Sequence, residues 1–196
     1  MWEIPNRVSF VLTLAAFVPY ILGILGRGLW GGELEKPLQP SIVSWMIWLL
    51  LDVIIISGMY LKGSTTNLMV AATIGAVCVV VASIWQGGRV EWTHFDKFSL
   101  YGVGNALGFW YVMQTPEAGI IASVATLAVG ALPGLNDANK NGTTTGGFCW
   151  LVWFAAAFAG FLAVVPLRDI SMTIQPVAFA VVAFSMAMVN FTAEIE

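Results

Sequence analysis

The sequence predicts an all-α integral membrane protein of seven transmembrane helices, arranged as two triple-helix repeats joined by a linker helix. Three observations lead there. The 196 residues are 59% hydrophobic and only 10% charged, against about 25% charged in soluble domains, and mean hydropathy is +0.85. Seven apolar runs of span-like length follow one another, with nearly every Asp, Glu, Lys and Arg falling between them. A Trp-x-x-Trp pair recurs in the second and sixth runs, Trp45 and Trp48 in SWMIW against Trp150 and Trp153 in CWLVW.

The first run, about Val8 to Gly26, is interrupted by Pro19. Proline removes one backbone hydrogen bond and kinks a helix, which a membrane bundle can absorb. The preceding MWEIPNR holds Glu3 as well as Arg7, and no small-residue cleavage pattern follows, so this run is expected to be a retained helix. The second run, Pro40 to Lys62, is long enough to cross a bilayer, since about 20 residues at 1.5 Å each span roughly 30 Å of hydrocarbon. It carries one acid, Asp52. Trp45, Trp48 and Asp52 stand at i, i+3 and i+7 and so share a helix face. A carboxylate near mid-membrane costs several kcal/mol unless it protonates, pairs or meets a wet cavity, so this face is expected to look into the protein.

The third run, about Asn67 to Trp85, is rich in Ala, Val and Gly, which suits close helix contact. Residues 86–97, QGGRVEWTHFDK, hold the single histidine, His94, and read as an aqueous loop with Trp85 and Trp92 near its interfaces. The fourth run, about Phe98 to Met113, is short and interrupted by Gly102, Gly104 and Gly108, with Asn105 near its centre. The fifth, about Ala118 to Leu135, contains Pro133, and the polar stretch NDANKNGTTTGG after it reads as a loop. The sixth runs from about Phe148 to Val165. The seventh, about Met172 to Phe191, contains Gln175, Pro176 and Ser185, with Asn190 near its end. Short turns make antiparallel hairpins of runs two and three and of runs six and seven.

Laying run six on run two so that Trp150 falls on Trp45 also places Trp153 on Trp48, Ala157 on Asp52 and Arg168 one position from Lys62. Pro19 and Pro133 correspond in the runs before them, the first connecting loop being the longer. The repeats are then residues 8–87 and 118–193, with 97–114 as the linker helix of a single membrane domain, 1–196. Three spans per repeat would invert the second copy, and the linker restores its orientation, giving parallel repeats about an axis along the membrane normal.

This three-plus-one-plus-three order, with a proline in the first helix of each triple and Leu38, Gln39 and Pro40 leading into the second helix, resembles the PQ-loop and SWEET superfamily of small membrane transporters. The resemblance covers the whole chain. It implies kink or hinge prolines at Pro19, Pro133 and Pro40; the fourth such position is Thr145. It further implies a small-solute transporter in which two triple-helix bundles rock about a central site. The sugar-binding asparagines of such proteins have no counterpart in the middle of run three, and Asn190 lies near the end of run seven.

The candidate site residues, for substrate or proton, are Asp52, Asn105, Trp45, Trp48, Trp150 and Trp153. The four tryptophans have a second reading as an interfacial belt. Asp52 has one as a structural partner of Asn105 or of a Ser or Thr hydroxyl. No lysine in the last run offers a retinal Schiff base, no paired cysteines or buried histidines offer haem or quinone–disulfide chemistry, and no HExxH, GxSxG or P-loop pattern occurs. Neither enzyme activity, cofactor nor metal is expected. A net charge of -3 without a basic cluster argues against nucleic acid. The partners expected are the lipid bilayer and a small polar solute, with a homo-oligomer or a larger membrane complex as the setting of the alternative, a non-transporting accessory subunit. Arg7, Lys62 and Arg168 on the N-terminal side stand against Arg27, Lys36, Arg89, Lys97 and Lys140 on the other. In a prokaryotic cytoplasmic membrane this bias puts the N-terminus outside and the C-terminus in the cytoplasm.

Overall fold

The computed structural model describes residues 3–28, 32–34, 37–63, 67–88, 90, 92, 94–141 and 143–193. Among them are α1 (Glu3–Ile24), α2 (Ile42–Leu61), α3 (Asn67–Trp85), α4 (His94–Met113), α5 (Pro116–Gly130), α6 (Leu132–Asn141), α7 (Thr144–Val164), a 3₁₀ turn (Val165–Leu167) and α8 (Ile170–Ala193). No strand occurs among the described residues beyond an isolated bridge between Arg27 and Glu33. Five segments are long and apolar enough to cross a membrane: Glu3–Ile24, Ile42–Leu61, Asn67–Trp85, Thr145–Leu167 and Ile170–Ala193. The apolar α5 has only 15 residues, and α4 opens on the polar His94, Asp96 and Lys97.

Helix ends follow local chemistry. Ser41 caps α2 by accepting from the Ser44 amide at 3.2 Å, and Thr143 caps α7 by accepting from the Gly146 amide at 3.0 Å. Pro116, whose missing N–H is no loss in a first turn, opens α5. Asp169 opens α8 by accepting from the Ser171 amide at 2.9 Å. The turns into α5 and α8 pass through Gln114 and Arg168, both left-handed at φ 54 and φ 52, a backbone cost that compact hairpins between long helices absorb.

Six helices close a ring in the order α1, α3, α2, α5, α8, α7, each packing on its two neighbours, while α4 lies outside against α5 and α2, and α6 lies against α8. Within α1–α3 the third helix stands between the other two, and α8 stands likewise between α5 and α7. At the α1–α3 seam, a Cβ on Gly75 would lie 1.9 Å from the Phe17 ring, so only glycine lets Phe17 sit flat against α3. At the α1–α7 seam Ser9 Oγ donates to the Ala156 carbonyl at 2.8 Å. Large apolar side chains such as Val11, Val18, Leu50, Val81, Phe158 and Val181 face outward, whereas Ser9, Thr13, Asp52, Ser123, Gln175 and Asn190 are buried. That polarity is the reverse of a protein whose solvent is water, and it is what a hydrocarbon solvent selects.

Three stretches depart from the sequence reading. The fifth run is divided: the helix stops at Gly130, and Pro133 falls in the first turn of α6 rather than inside a span; its side chain lies outside the described set. The polar stretch after it is divided between the end of α6 and the start of α7, where Thr143 caps α7 and Asn190 Oδ1, from α8, accepts from the Thr143 amide at 3.2 Å. The loop at 86–97 ends early: His94 begins α4, and Asp96 is buried where Ser44 Oγ donates to its Oδ1 at 2.6 Å. Arg89 and Glu91 of that loop, and Lys36 of the first, lie outside the described residues.

Candidate functional site

Every helix of the ring contributes to one central chamber. Phe17 comes from α1, Trp45, Trp48 and Asp52 from α2, Met69, Ala72 and Ala76 from α3, Leu127 from α5, Trp150 and Trp153 from α7, and Gln175 and Phe179 from α8. The cavity among them is about 20 Å³, room for about one water.

The four tryptophans are buried and meet across the middle of the ring, edge to face except for the tilted pair Trp45 and Trp153. Ring centroids stand 5.3 Å apart for Trp45 and Trp48, 4.6 Å for Trp150 and Trp153, 6.3 Å for Trp45 and Trp153 and 6.4 Å for Trp48 and Trp150. Phe17 reaches Trp153 at 4.7 Å, and Tyr20 lies 5.6 Å from Trp45 and 5.2 Å from Trp153. An interfacial belt would leave these indoles at the perimeter. Their i, i+3 spacing instead turns one face of α2 and one of α7 inward, with α1 supplying the rings between. Pro19 sits inside α1, between Phe17 and Tyr20, so the position able to bend that helix carries the chamber wall with it.

Asp52 is 6% exposed and Gln175 is 3% exposed. Among the described residues none donates a hydrogen bond to the Asp52 carboxylate, and Gln175 Oε1 has no partner either. Two acceptors thus face an otherwise apolar, aromatic space. The Nε1 atoms of Trp48 and Trp153 are also unpartnered; that of Trp48 lies against α5, where a Cβ on Gly130 would come within 3.2 Å. Asn105 does not join this group. It is exposed on the outer side of α4, lining an open groove of about 470 Å³ with Gly102, Gly104, Gly108 and Thr126, so it is not the partner of Asp52. Asn190 is a brace: besides its bond to Thr143, its Nδ2 donates to the Met186 carbonyl at 2.8 Å.

The end of the bundle where α2 stops and α5 and α8 start is tied by one lysine. Lys62 Nζ pairs with Glu117 Oε1 at 2.9 Å and with Asp169 Oδ2, and donates to Ser171 Oγ at 2.7 Å. Burial pushes the Asp169 carboxyl up, but hydrogen bonds from Lys62 and Ser171 and the Lys62 charge outweigh it and bring it down to about 2. Burial works against the Lys62 ammonium as well, and its bonds to Asp169 and Glu117 more than reverse that, raising it. Glu117 is lowered, first by its bond from Lys62. The end of α2 is thereby clamped to the starts of α5 and α8. Along the sequence these charges belong to separate loops; the near coincidence of Lys62 and Arg168 in the repeat is the one signal at this end. Among the described residues no group of three His, Cys, Asp or Glu side chains stands ready for a metal ion.

No family model, curated protein or solved structure matches this chain.

Proposed function

We propose that this protein is a small-solute membrane transporter of the PQ-loop and SWEET-like type, facilitative or proton-coupled. The observation that carries the reading is the chamber: six helices converge on a central aromatic space whose polar side chains are Asp52 and Gln175. Two triple-helix units, α1 to α3 and α5 with α7 and α8, rock against each other, with α4 as the linker. The ring order supports this, since the first helix of each unit packs on the second helix of the other, α1 on α7 and α5 on α2. With room for about one water, the chamber has the character of an occluded state, in which a solute is cut off from both faces. Asp52, with Ala157 at its repeat position, supplies the single ionisable group that a coupled step requires. In a cytoplasmic membrane the charge bias sets the N-terminus outside, and labelling single cysteines at each terminus in intact cells tests that.

The experiment is uptake of sugars, amino acids, amines and small acids into proteoliposomes holding the full chain, repeated for Asp52→Asn. Transport with a pH dependence lost in the variant is expected; a blank panel, or a variant with the wild-type pH profile, removes the coupled reading. The accessory-subunit reading is favoured by one observation, the groove on α4 where a Cβ on Gly104 or Gly108 would meet nothing within 4 Å. If uptake is blank and Gly104→Leu dissolves a larger assembly in mild detergent, that reading replaces transport.

A further inference from the structure

The chamber has a chemical preference of its own. Asp52 and Gln175 Oε1 are acceptors without donors among the described residues, both more than nine-tenths buried. The walls around them are the rings of Phe17, Trp45, Trp48 and Trp153, whose π faces are negative. Among the described residues, no Lys, Arg, His, Glu or second Asp lines the space. The titratable side chains of the same buried cluster are Tyr20, in ring contact with Trp45 and Trp153, and Cys149. Carboxylate, amide oxygen and aromatic faces all attract positive charge. A sugar, by contrast, needs several donors and acceptors and more volume than this chamber offers.

We propose that the chamber binds a primary ammonium ion no larger than methylammonium, its N–H groups on Asp52 and Gln175 and its methyl against the indole faces, in exchange for the Asp52 proton. An ammonium carries three donors and no acceptor, which matches the two unmade acceptor sites; the unpartnered Nε1 donors of Trp48 and Trp153 on the same lining stay without a partner. A bare carboxylate in an apolar shell is costly, so its charge is balanced in one of two ways. With the proton on, Asp52 is a neutral acid; when R–NH₃⁺ enters, that proton leaves to water and the carboxylate pairs with the cation. Proton and amine exclude each other on one oxygen pair, the arrangement an exchanger needs. This step rests on the transport reading for its purpose but not for its measurement.

The test uses the purified full-length chain in detergent, with methylammonium chloride as probe, calorimetric titration for affinity and a weakly buffered cell for released protons. Expected are saturable binding, release approaching one proton per cation below the pH at which the free acid ionises, and an affinity lower by about tenfold or more in Asp52→Asn, in line with losing a charge-assisted hydrogen bond. Gln175→Leu should weaken binding several-fold. Asp52→Glu keeps the charge and should retain proton release, which guards against a variant that merely misfolds. Equal affinity in Asp52→Asn, or tetramethylammonium binding as well as methylammonium although it has no N–H, overturns the proposal. Uptake of a neutral solute with no methylammonium binding also overturns it while leaving transport standing. Specific binding with no uptake of any solute keeps the cation site and removes the transport reading.

Discussion

Replacing Lys62 by Met keeps most of the aliphatic stem and removes the charge that ties α2 to α5 and α8. The side chain of Lys62 is 15% exposed, that of Asp169 30% and that of Glu117 44%. Holding Asp169 at about 2 instead of 3.8 corresponds to at most about 2.5 kcal/mol; its partial exposure reduces this to the order of 1 kcal/mol. The lost bond to Ser171 adds about 1 kcal/mol. A loss of about 1–2 kcal/mol lowers Tm by roughly 3–6 °C in a chain of this length. The pH dependence has a definite sign. Because Asp169 is depressed, its contribution is complete above the ordinary carboxylate value and disappears as pH falls from about 4 toward 2. Lys62 is raised, so its own contribution is present below its ordinary value and is lost only in strong alkali. Thermal unfolding in detergent, followed by intrinsic tryptophan emission between pH 7 and pH 2, reads both effects. The wild type should lose stability across the acid window more steeply than Lys62→Met. Identical midpoints at pH 7 together with identical acid slopes would refute the clamp.

Substituting Pro19 and Pro133 together by Ala should leave the fold intact and slow solute exchange if these positions act as hinges; unchanged exchange with a lower Tm would make them packing features instead. Gly75→Ala drives a Cβ into the Phe17 ring, so a loss of about 1–3 kcal/mol from overpacking is expected, with a shifted emission maximum because Phe17 leans on Trp153; an unaltered spectrum and Tm would contradict the α1–α3 seam. Ser44→Ala removes the hydroxyl donor of the buried Asp96 and should cost about 1–3 kcal/mol. Ser44→Thr, which keeps the hydroxyl, should recover most of it, and equal losses in both variants would mean that the hydrogen bond is not the cause.

What is legible in the sequence is whatever repeats along one element. Trp45, Trp48 and Asp52 share a face by helical spacing alone, and Trp150 and Trp153 repeat the pair, so the chamber's aromatic half is written in the residue spacing itself. Asp52 stands out because an acid in an apolar run has few places to go. Gln175 does not, since an amide in a span is inward or outward according to how its helix is rotated, and the rotation of α8 is set by contacts with α5 and α7. Asn105 misleads for the same reason: the glycines around it mark an open outer groove. The Lys62 cluster depends on three helix ends meeting, a fact of tertiary packing with no local periodicity. The helical start of α7 at residues 144–147 is hidden because its turn-like composition is overruled by the cap from Thr143, itself held by Asn190.

The pairing of α1 with α7 has a consequence for biogenesis. As the chain leaves the ribosome at about 5–20 residues per second, α1 enters the membrane on the order of 10 s before its main neighbour exists. During that interval Thr13 satisfies itself on the Ser9 carbonyl within its own helix, but the Ser9 hydroxyl has to wait for Ala156, and the Phe17 and Tyr20 rings for the indoles of α7. Until then the first span lacks these contacts with α7. The bundle is sealed from its two ends of the chain inward, with the last third of the polypeptide closing over the first.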